Sequence, residues 1–249
     1  MINTAGYVRV DEAENDPRQW RKNALGPLVL GRVCGQHEVR LVQFSSDLVF
    51  DGMQRRPYRE SDATCPLNAY GLAKQHADRG LARRANVLVI RSAAFFGPWD
   101  PHNFVTQGLE RLSCHEPWTA AADQIVSRTY VPDLVHASLD LLIDREHGLW
   151  HVVNQGAVSW YHLACMATEA SGLPTRHVRP ATDLPAAARR PAYSALTSER
   201  ARLMPRIEDA LQRYVRHRQH TGDVAWMSVQ APVRSEAAND EQVQRSRLP

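Results

Sequence analysis

The sequence predicts an α/β fold with a mostly parallel sheet. Short apolar runs, which suit buried strands, alternate along the chain with amphipathic segments that have the period of a helix. Hydrophobic residues make up 43% of the 249 residues and charged residues 23%, a balance close to the globular average. Such alternation places helices on the faces of a parallel sheet. Ligands of these sheets bind at the carboxyl ends of the strands, so the residues that follow each strand are the candidates for a site.

The first part of the chain predicts three strands and two helices. Ile2 to Ala5 has the pattern of the buried end of a parallel strand, and Pro17 suits the first turn of the helix that follows. Between the second strand and the second helix, a polar, turn-rich segment predicts a loop. The predicted elements, in order, are a strand at 2–5, a helix at 17–36, a strand within VRLVQF, a helix in AYGLAKQHADRGLARRA and a strand in NVLVIRS.

The second part of the chain predicts four more helices and one strand. Ser159 is a good N-terminal cap for one of these helices, and Gly172 suits its C-terminal end. In order, the elements are a helix from about Asn103 to Leu112, a helix in VPDLVHASLDLLID, a strand in GLWHVVN, a helix in WYHLACMATEASG and a helix in RIEDALQRYVRHR. Residues 221–249 are polar and have no period, which predicts a disordered tail.

Several classes of protein are disfavoured by composition. The formal charge of +3 is too small to indicate a nucleic-acid partner. The four cysteines form no CxxC pair and no metal spacing, so we expect reduced thiols and no metal site. No run approaches 18 apolar residues, and the first residues lack the basic start and apolar core of a signal peptide. We therefore expect a cytoplasmic protein with no membrane partner.

Side chains suited to carbonyl chemistry follow the second predicted strand. Ser45, Ser46 and Asp47 stand where that strand ends, and Tyr70 and Lys74 share one face of the next helix. A nearby ammonium group lowers the pKa of a tyrosine from its usual value near 10, and a serine hydroxyl can orient the same substrate oxygen. The spacing alone leaves an alternative open, in which Tyr70 packs in the core and Lys74 is simply exposed. The serine pair favours a reductase site that works by hydride transfer.

One long segment carries a family resemblance. The stretch FSSDLVFDG…RPYRESDATCPLNAYGLAK resembles the STDYVFDG…PYxExDxxxPxxxYGxSK signature of the dTDP-4-dehydrorhamnose reductases, which are extended short-chain dehydrogenase/reductases that act on nucleotide sugars. The resemblance covers roughly residues 1–215. It implies a Rossmann-like parallel sheet with a small C-terminal substrate-binding lobe. The implied divisions are 1–98 for the remainder of the cofactor domain, 99–220 for the substrate lobe with returning Rossmann elements, and 221–249 for the tail.

The resemblance also implies roles for individual residues. Ser46 replaces the family's catalytic threonine, Tyr70 is the proton donor, and Lys74 holds the nicotinamide ribose of NADPH or NADH. The implied substrate is dTDP-4-dehydro-L-rhamnose, and a Mg²⁺-linked homodimer occurs in some members, although this sequence shows no carboxylate cluster that would place a metal. The remaining residues implied for the cofactor are Asn3, Ala5, Tyr7 and Ser45, and those for the substrate are Asp47, Asn103, Phe104, Arg189 and Arg190.

The sequence departs from the family pattern in the part that holds the cofactor phosphates. The family's first strand, its GxxGxxG turn and two strand–helix units have no counterpart here, which amounts to about 60 residues. We therefore expect an N-terminally truncated Rossmann-like sheet without the backbone donors for the pyrophosphate. A start codon placed too late, a truncated gene, or a second polypeptide that supplies the missing half would each explain this.

Three smaller departures concern the substrate. The family's tryptophan in RTSWVYG is Ala94 here, and the proline of GxPT is Arg128. Trp99 is an addition, and a packed surface position is favoured over stacking on the sugar or base. Two alternatives to a reductase stay open. One is a non-catalytic sugar-nucleotide-binding or regulatory protein, as in the regulatory subunit of methionine adenosyltransferase. The other is the detached C-terminal portion of a glycosidase–reductase fusion, because the segment AFFGPWDPHNFV resembles the reductase-like domain of such proteins.

Overall fold

The structure is a computed structural model that describes residues 1–220, and the predicted tail at 221–249 lies outside the described residues. The predicted α/β class is confirmed: short strands and helices alternate along most of the described chain. The strands are β1 (Ile2–Asn3), β2 (Leu41–Ser46), β3 (Val87–Ser92), β4 (Phe95–Phe96), β5 (Trp118–Ala121), β6 (Ile125–Val126), β7 (Thr129–Tyr130), β8 (Gly148–His151), β9 (Val158–Ser159) and β10 (Val178–Ala181).

The helices lie where the sequence periodicity predicts them. Ser159 caps one of them by accepting a hydrogen bond from the backbone N–H of His162, and Gly172 follows that helix with a positive φ of 70°. The helices are α1 (Arg18–Trp20), α2 (Gly26–Gln36), α3 (Ala69–Leu81), α4 (Phe104–Ser113), α5 (Val131–Ile143), α6 (Trp160–Ala170) and α7 (Ile207–His220).

The helix predicted at 17–36 contains one widened turn. A π-helical segment, Arg21–Leu25, joins α1 to α2, and the backbone N–H of Gly26 bonds to the carbonyl of Arg21. Pro27 follows directly, and proline has no N–H with which to continue the regular ladder. The extra residue in the turn keeps the helix continuous past a proline that periodicity alone does not accommodate.

The central sheet has four parallel strands in the order β1-β2-β3-β8. Its register pairs Ile2 with Val42, Leu41 with Val87 and Leu88 with Gly148. Helices cover both faces, because alternate residues of each strand point to opposite sides. Leu41, Val87 and Val89 pack with α2 and α3, whereas Val42, Leu88 and Ile90 pack with α5.

A second hydrophobic cluster lies beyond the central sheet. It joins α4, α6 and α7 to the parallel pair of β5 and β10 through buried side chains that include Leu109, Trp118, Leu163 and Tyr214. This packing holds the later part of the chain over the carboxyl ends of β2 and β3.

The first strand differs from its prediction. The sequence indicated a buried strand at 2–5, but β1 spans only Ile2–Asn3, and 41% of the surface of Ile2 is exposed. Within the described residues, β1 is the edge of the central sheet, so one side of it has no neighbouring strand. Burial cannot be inferred from an apolar pattern when the strand lies at an edge.

A close approach fixes the start of α3 against the end of β2. A Cβ atom at residue 71 would overlap the carbonyl oxygen of Leu48, and Pro66 lies 3.0 Å from the same point. Only glycine can occupy this position without moving the helix. Asn68 caps the helix one turn earlier by accepting a hydrogen bond from the backbone N–H of Gly71 at 2.8 Å.

We expect Gly71→Ala to lower the free energy of unfolding by about 1–3 kcal/mol, because the added methyl group meets backbone that cannot rotate away. The measurement is urea denaturation followed by circular dichroism. Gly35→Ala is the matched control, since Gly35 also lies in a helix but its nearest new neighbour would be 3.6 Å away. The control should be neutral or more stable by up to about 1 kcal/mol. Equal effects of the two substitutions would contradict the close approach.

Candidate active site

Ser46 lies at the carboxyl end of β2, in the middle of the central sheet. Its hydroxyl accepts a hydrogen bond from the backbone N–H of Leu48 at 3.2 Å and so caps the short 3-10 turn Asp47–Val49. The same hydroxyl lies 3.1 Å from Oδ1 of Asp47. Both side chains are buried, so their orientation is set by these contacts and not by solvent.

Helix α3 brings Tyr70 and Lys74 to the same place. The ammonium of Lys74 donates a hydrogen bond to the carbonyl of Phe44 in β2 at 3.2 Å and lies 5.7 Å from the centre of the Tyr70 ring. Lys74 is only 7% exposed, so the alternative of a simply exposed lysine does not hold. The strand and the helix therefore converge on one site, as the strand–helix alternation predicted.

The pKa of Tyr70 differs from the sequence-based expectation. We expected Lys74 to lower it, but it lies well above the ordinary value. Burial is the largest cause, because it disfavours the charged phenolate, and the negative charge of Asp47 adds to the effect. A hydrogen bond with Ser46 acts in the opposite direction. At neutral pH Tyr70 therefore carries its proton and can act as a donor.

The nearby carboxyl of Asp78 helps Lys74 to keep its positive charge in a buried position. Burial lowers the pKa of Lys74, and the carboxyl of Asp78, one turn later, opposes this effect. Asp78 is itself buried and accepts a hydrogen bond from Nε of Arg91 at 2.8 Å. These neighbours keep Lys74 in position as a hydrogen-bond donor between α3 and β2.

Two cavities meet at Tyr70. The serine-side cavity has a volume of about 320 Å³, and the residues that matter to its chemistry are Ser46, Asp47, Tyr70, Trp160, Arg190 and Ser194. The lysine-side cavity, of about 480 Å³, is mainly apolar and includes Asn3, Ala5, Phe44, Tyr70, Lys74 and Leu139. Ser45 and Tyr70 line both cavities. A hydroxyl on this boundary can reach molecules bound on either side.

Asp47 is the acidic residue of the serine-side cavity. Its Oδ2 accepts a hydrogen bond from the hydroxyl of Ser194 at 2.6 Å. Burial raises the pKa of Asp47, while the hydrogen bonds from Ser194 and Ser46 and the positive charge of Arg128 lower it. The carboxyl group thus connects the end of β2 to the distant segment that contains Ser194.

The structure brings together some of the predicted site residues and leaves others apart. Arg190 lines the serine-side cavity and pairs with Asp11 at 3.1 Å, and Asn3 and Ala5 line the lysine-side cavity.

Tyr7 lines neither cavity: its hydroxyl bonds to Glu12 and its backbone to Asn23. Arg189 is exposed and contributes only its carbonyl, which accepts a hydrogen bond from Asn68 at 2.9 Å.

The pair predicted near the substrate at 103–104 lies outside both cavities. Asn103 is the N-terminal cap of α4, and its Oδ1 accepts hydrogen bonds from the backbone N–H groups of Val105 and Thr106. Phe104 packs between the rings of Trp118 and Trp160, with ring centres 4.8 and 4.7 Å away. In this structure Asn103 and Phe104 stabilise α4 and its packing.

The sequence analysis predicted neither a site role for Trp160 and Ser194 nor the strained backbone at Ala94. All three residues line the serine-side cavity. Ala94 has a positive φ of 39°, which a non-glycine residue rarely adopts outside constrained sites. Ser194 lies within residues 1–215, over which the family resemblance extends, and this was the available signal. Trp99, in contrast, lines neither cavity and is 69% exposed, with its ring centre 5.4 Å from that of His217.

Neither a metal cluster nor a membrane span is found among residues 1–220. No group of three or more His, Cys, Asp or Glu side chains in that range could hold a metal ion. No helix in that range has the length and apolar character that crossing a membrane requires.

Comparison with known proteins identifies relatives of this chain. The dTDP-4-dehydrorhamnose reductase of Mycolicibacterium smegmatis is 35% identical over 208 residues, which are 81% of this chain and 63% of that protein. The dTDP-4-keto-6-deoxy-D-glucose reductase of Streptomyces niveus is 32% identical over 183 residues, which are 72% of this chain and 63% of that protein. The chain therefore spans less than two thirds of the length of either relative.

The fold has solved counterparts as well. The dTDP-4-dehydrorhamnose reductase of Bacillus anthracis, in complex with NADP, is 29% identical and superposes with a TM-score of 0.80 over 87% of this chain and 79% of that chain. The RmlD substrate binding domain family matches residues 1–219. Since that match covers nearly the whole chain, this protein belongs to the RmlD substrate binding domain family.

Proposed function

We propose that this chain carries the reductase site for a 4-keto, 6-deoxy sugar linked to dTDP, with NADPH, or alternatively NADH, as the reductant. The supporting observation is the place of Tyr70, which lies where two cavities meet, with Ser46 on one side and Lys74 on the other. The activities named for the relatives from M. smegmatis and S. niveus, both of them reductases of dTDP-linked sugars, support the same class of substrate.

In this proposal the sugar binds in the serine-side cavity with its keto oxygen toward Tyr70 and Ser46. Tyr70 donates its phenolic proton to the keto oxygen, and Ser46 orients that oxygen by a hydrogen bond. The raised pKa of Tyr70 means that the phenol holds its proton at neutral pH, as a donor must, although it is then a weaker acid than an ordinary tyrosine. Asp47 and Arg190 lie on the same cavity and are the proposed contacts to the rest of the substrate.

The lysine-side cavity suits the nicotinamide end of the cofactor. It is apolar, and it has the ammonium of Lys74 at the end next to Tyr70, where a ribose hydroxyl would need a donor. Asn3, Ala5 and Ser45 are the other proposed contacts. When bound there, NADPH supplies the hydride for the keto carbon. The residues of this chain orient the two molecules and deliver the proton.

The phosphate end of the cofactor needs groups from elsewhere. No GxxGxxG pattern occurs in the 249 residues. The open edge of β1 and the α5 residues Val135 and Leu139 present exposed apolar surface beside the lysine-side cavity. We propose that a glycine-rich strand–helix segment covers this face and binds the pyrophosphate. In the same proposal, residues 1–98 belong to the cofactor part and 99–220 to the substrate part.

A second function is sugar-nucleotide binding without turnover. The absence of a GxxGxxG pattern from these 249 residues favours it, because a cofactor held only at its nicotinamide end would bind weakly. The two functions differ in whether NADPH binds and whether Tyr70 matters to a reaction, and each difference can be measured.

We expect Tyr70→Phe to reduce turnover of a dTDP-4-keto-6-deoxy sugar by at least about 100-fold, because the substitution removes only the donated proton. The measurement is the loss of NADPH absorbance, with calorimetry to show that the sugar nucleotide still binds. Tyr161→Phe is the matched control, since Tyr161 lines neither cavity and should leave turnover unchanged. Normal turnover by the Tyr70 variant would remove this residue from the reaction.

We expect Lys74→Met to weaken NADPH binding by roughly tenfold or more, because a charged hydrogen-bond donor is lost from a buried position. Tryptophan fluorescence during an NADPH titration measures the affinity. Arg79→Met, an exposed cation on the same helix, should bind as the wild type does. Equal affinity of the Lys74 variant and the wild type would contradict the assigned role, and no binding by the folded wild type would favour the second function.

A further inference from the structure

The chain bends sharply where β3 ends. Ser92 is the last residue of β3, and Ala94 in the bend that follows has a φ of 39°, in the left-handed region. A residue with a side chain keeps such a conformation only when the surrounding structure holds it there. The bend takes the chain out of the central sheet and into β4, which pairs with β7. Neighbouring groups must therefore fix the backbone at Ala94.

Thr129, the first residue of β7, holds this bend through both its backbone and its hydroxyl. Its backbone N–H donates a hydrogen bond to the carbonyl of Ala94 at 3.3 Å, and its Oγ1 accepts one from the backbone N–H of Ala93, also at 3.3 Å. The same Oγ1 lies 2.9 Å from the hydroxyl oxygen of Ser92. Thr129 has no exposed surface, so bulk water does not compete for these contacts.

The directions of these hydrogen bonds follow from their acceptors. Ser92 has one hydroxyl proton and donates it to the carbonyl of Val152 at 2.8 Å, since a carbonyl can only accept. The hydroxyl proton of Thr129 therefore points to the oxygen of Ser92. The lone pairs of Thr129 remain available to the backbone N–H of Ala93. Each proton is used once, and loss of the Thr129 hydroxyl would deprive a buried N–H of this acceptor.

The bend sets the position of Phe95, the residue that follows it. Successive residues of a strand point to opposite sides. Phe96 is buried, with its ring centre 5.2 Å from that of Tyr130, whereas Phe95 is 49% exposed. Phe95 lines both the serine-side and the lysine-side cavity, as Ser45 and Tyr70 do. A large apolar side chain left open at this boundary offers surface that a bound ligand can cover.

We infer that Thr129 is a positioning residue of the proposed reductase site: it holds the strained bend at Ala94 and so places Phe95 where the sugar and the nicotinamide meet. The inference rests on the proposed function for the identity of these two ligands. In this account Phe95 supplies an apolar surface against which both molecules pack, and so helps to fix their mutual orientation. Thr129 itself lines neither cavity and touches neither ligand.

The test uses the 249-residue chain with para-fluorophenylalanine at its five phenylalanine positions, followed by ¹⁹F NMR. Phe95→Leu identifies the Phe95 signal by its loss. Saturating dTDP-L-rhamnose and saturating NADPH should each shift that signal in the wild type. We expect Thr129→Val to shift it in the ligand-free chain, and to weaken the binding of dTDP-L-rhamnose roughly tenfold in calorimetry, because the bend loses a buried hydrogen bond.

Two matched variants control the experiment. Thr129→Ser keeps the hydroxyl and should restore both the signal and the affinity. Thr168→Val removes the hydroxyl of another fully buried threonine, which donates to the carbonyl of Ala164 at 2.7 Å, and should leave both unchanged. A general loss of stability would not move the Phe95 signal of the folded chain, so this readout separates positioning from structural support.

An unmoved Phe95 signal in Thr129→Val would overturn the inference, as would an equal movement in Thr168→Val. A ligand that binds in calorimetry without shifting the Phe95 signal would overturn this inference alone. If the folded wild type fails to bind one of the two ligands, the proposed function is overturned, and the role given to Phe95 falls with it.

If Thr129→Val does not fold, Thr129→Val/Ala94→Gly takes its place, because glycine adopts a positive φ without strain. Folding restored by the second substitution supports the role of Thr129 in holding a strained bend. A double variant that still fails to fold overturns the inference, because the hydroxyl of Thr129 would then be needed for more than the bend. No arm of the experiment requires turnover.

Discussion

The site depends on the contact between the first turn of α3 and the carbonyl of Leu48. Because residue 71 has no side chain, the helix approaches the end of β2 closely enough for Lys74 to bond to the carbonyl of Phe44. Tyr70, one residue before the glycine, is thereby held next to Ser46. A bulkier residue at 71 would separate the two halves of the site, even if every functional side chain were kept.

Burial governs the protonation of the groups that this contact brings together. It raises the pKa of Tyr70, Asp47 and Asp78 and lowers that of Lys74 and Arg128, since the charged form is disfavoured in each. Opposite charges beside Asp78 and Lys74 reduce the cost of burying them. Asp78 accepts from Arg91 at 2.8 Å and supports Lys74 from below. The negative charges of Asp47 and Asp78 both raise the pKa of Tyr70, so the protonation of Tyr70 depends on both groups.

The two cavities lie in different parts of the fold and have different proposed roles. The lysine-side cavity belongs to the central sheet and α5, whereas the serine-side cavity includes Trp160 and Ser194 from the later part of the chain. Packing of α4, α6 and α7 holds that later part over the strand ends. Tyr70 lines both cavities, which is the arrangement that a transfer between two bound molecules requires.

Local patterns in the chain were enough to predict the α/β class, the order of the elements and the placing of Tyr70 and Lys74 on one face of a helix. These depend on local period, on turn residues and on the spacing of four along a helix, all of which are written in neighbouring residues. The sequence also carried the resemblance to reductases of dTDP-linked sugars, which the family match confirms.

Only the folded structure shows which residues lie together across long stretches of chain. Ser194 reaches Asp47 across 147 positions, and no local pattern encodes that contact. Burial was also beyond the sequence: it reversed the expected shift in the pKa of Tyr70, because desolvation depends on the whole surrounding fold.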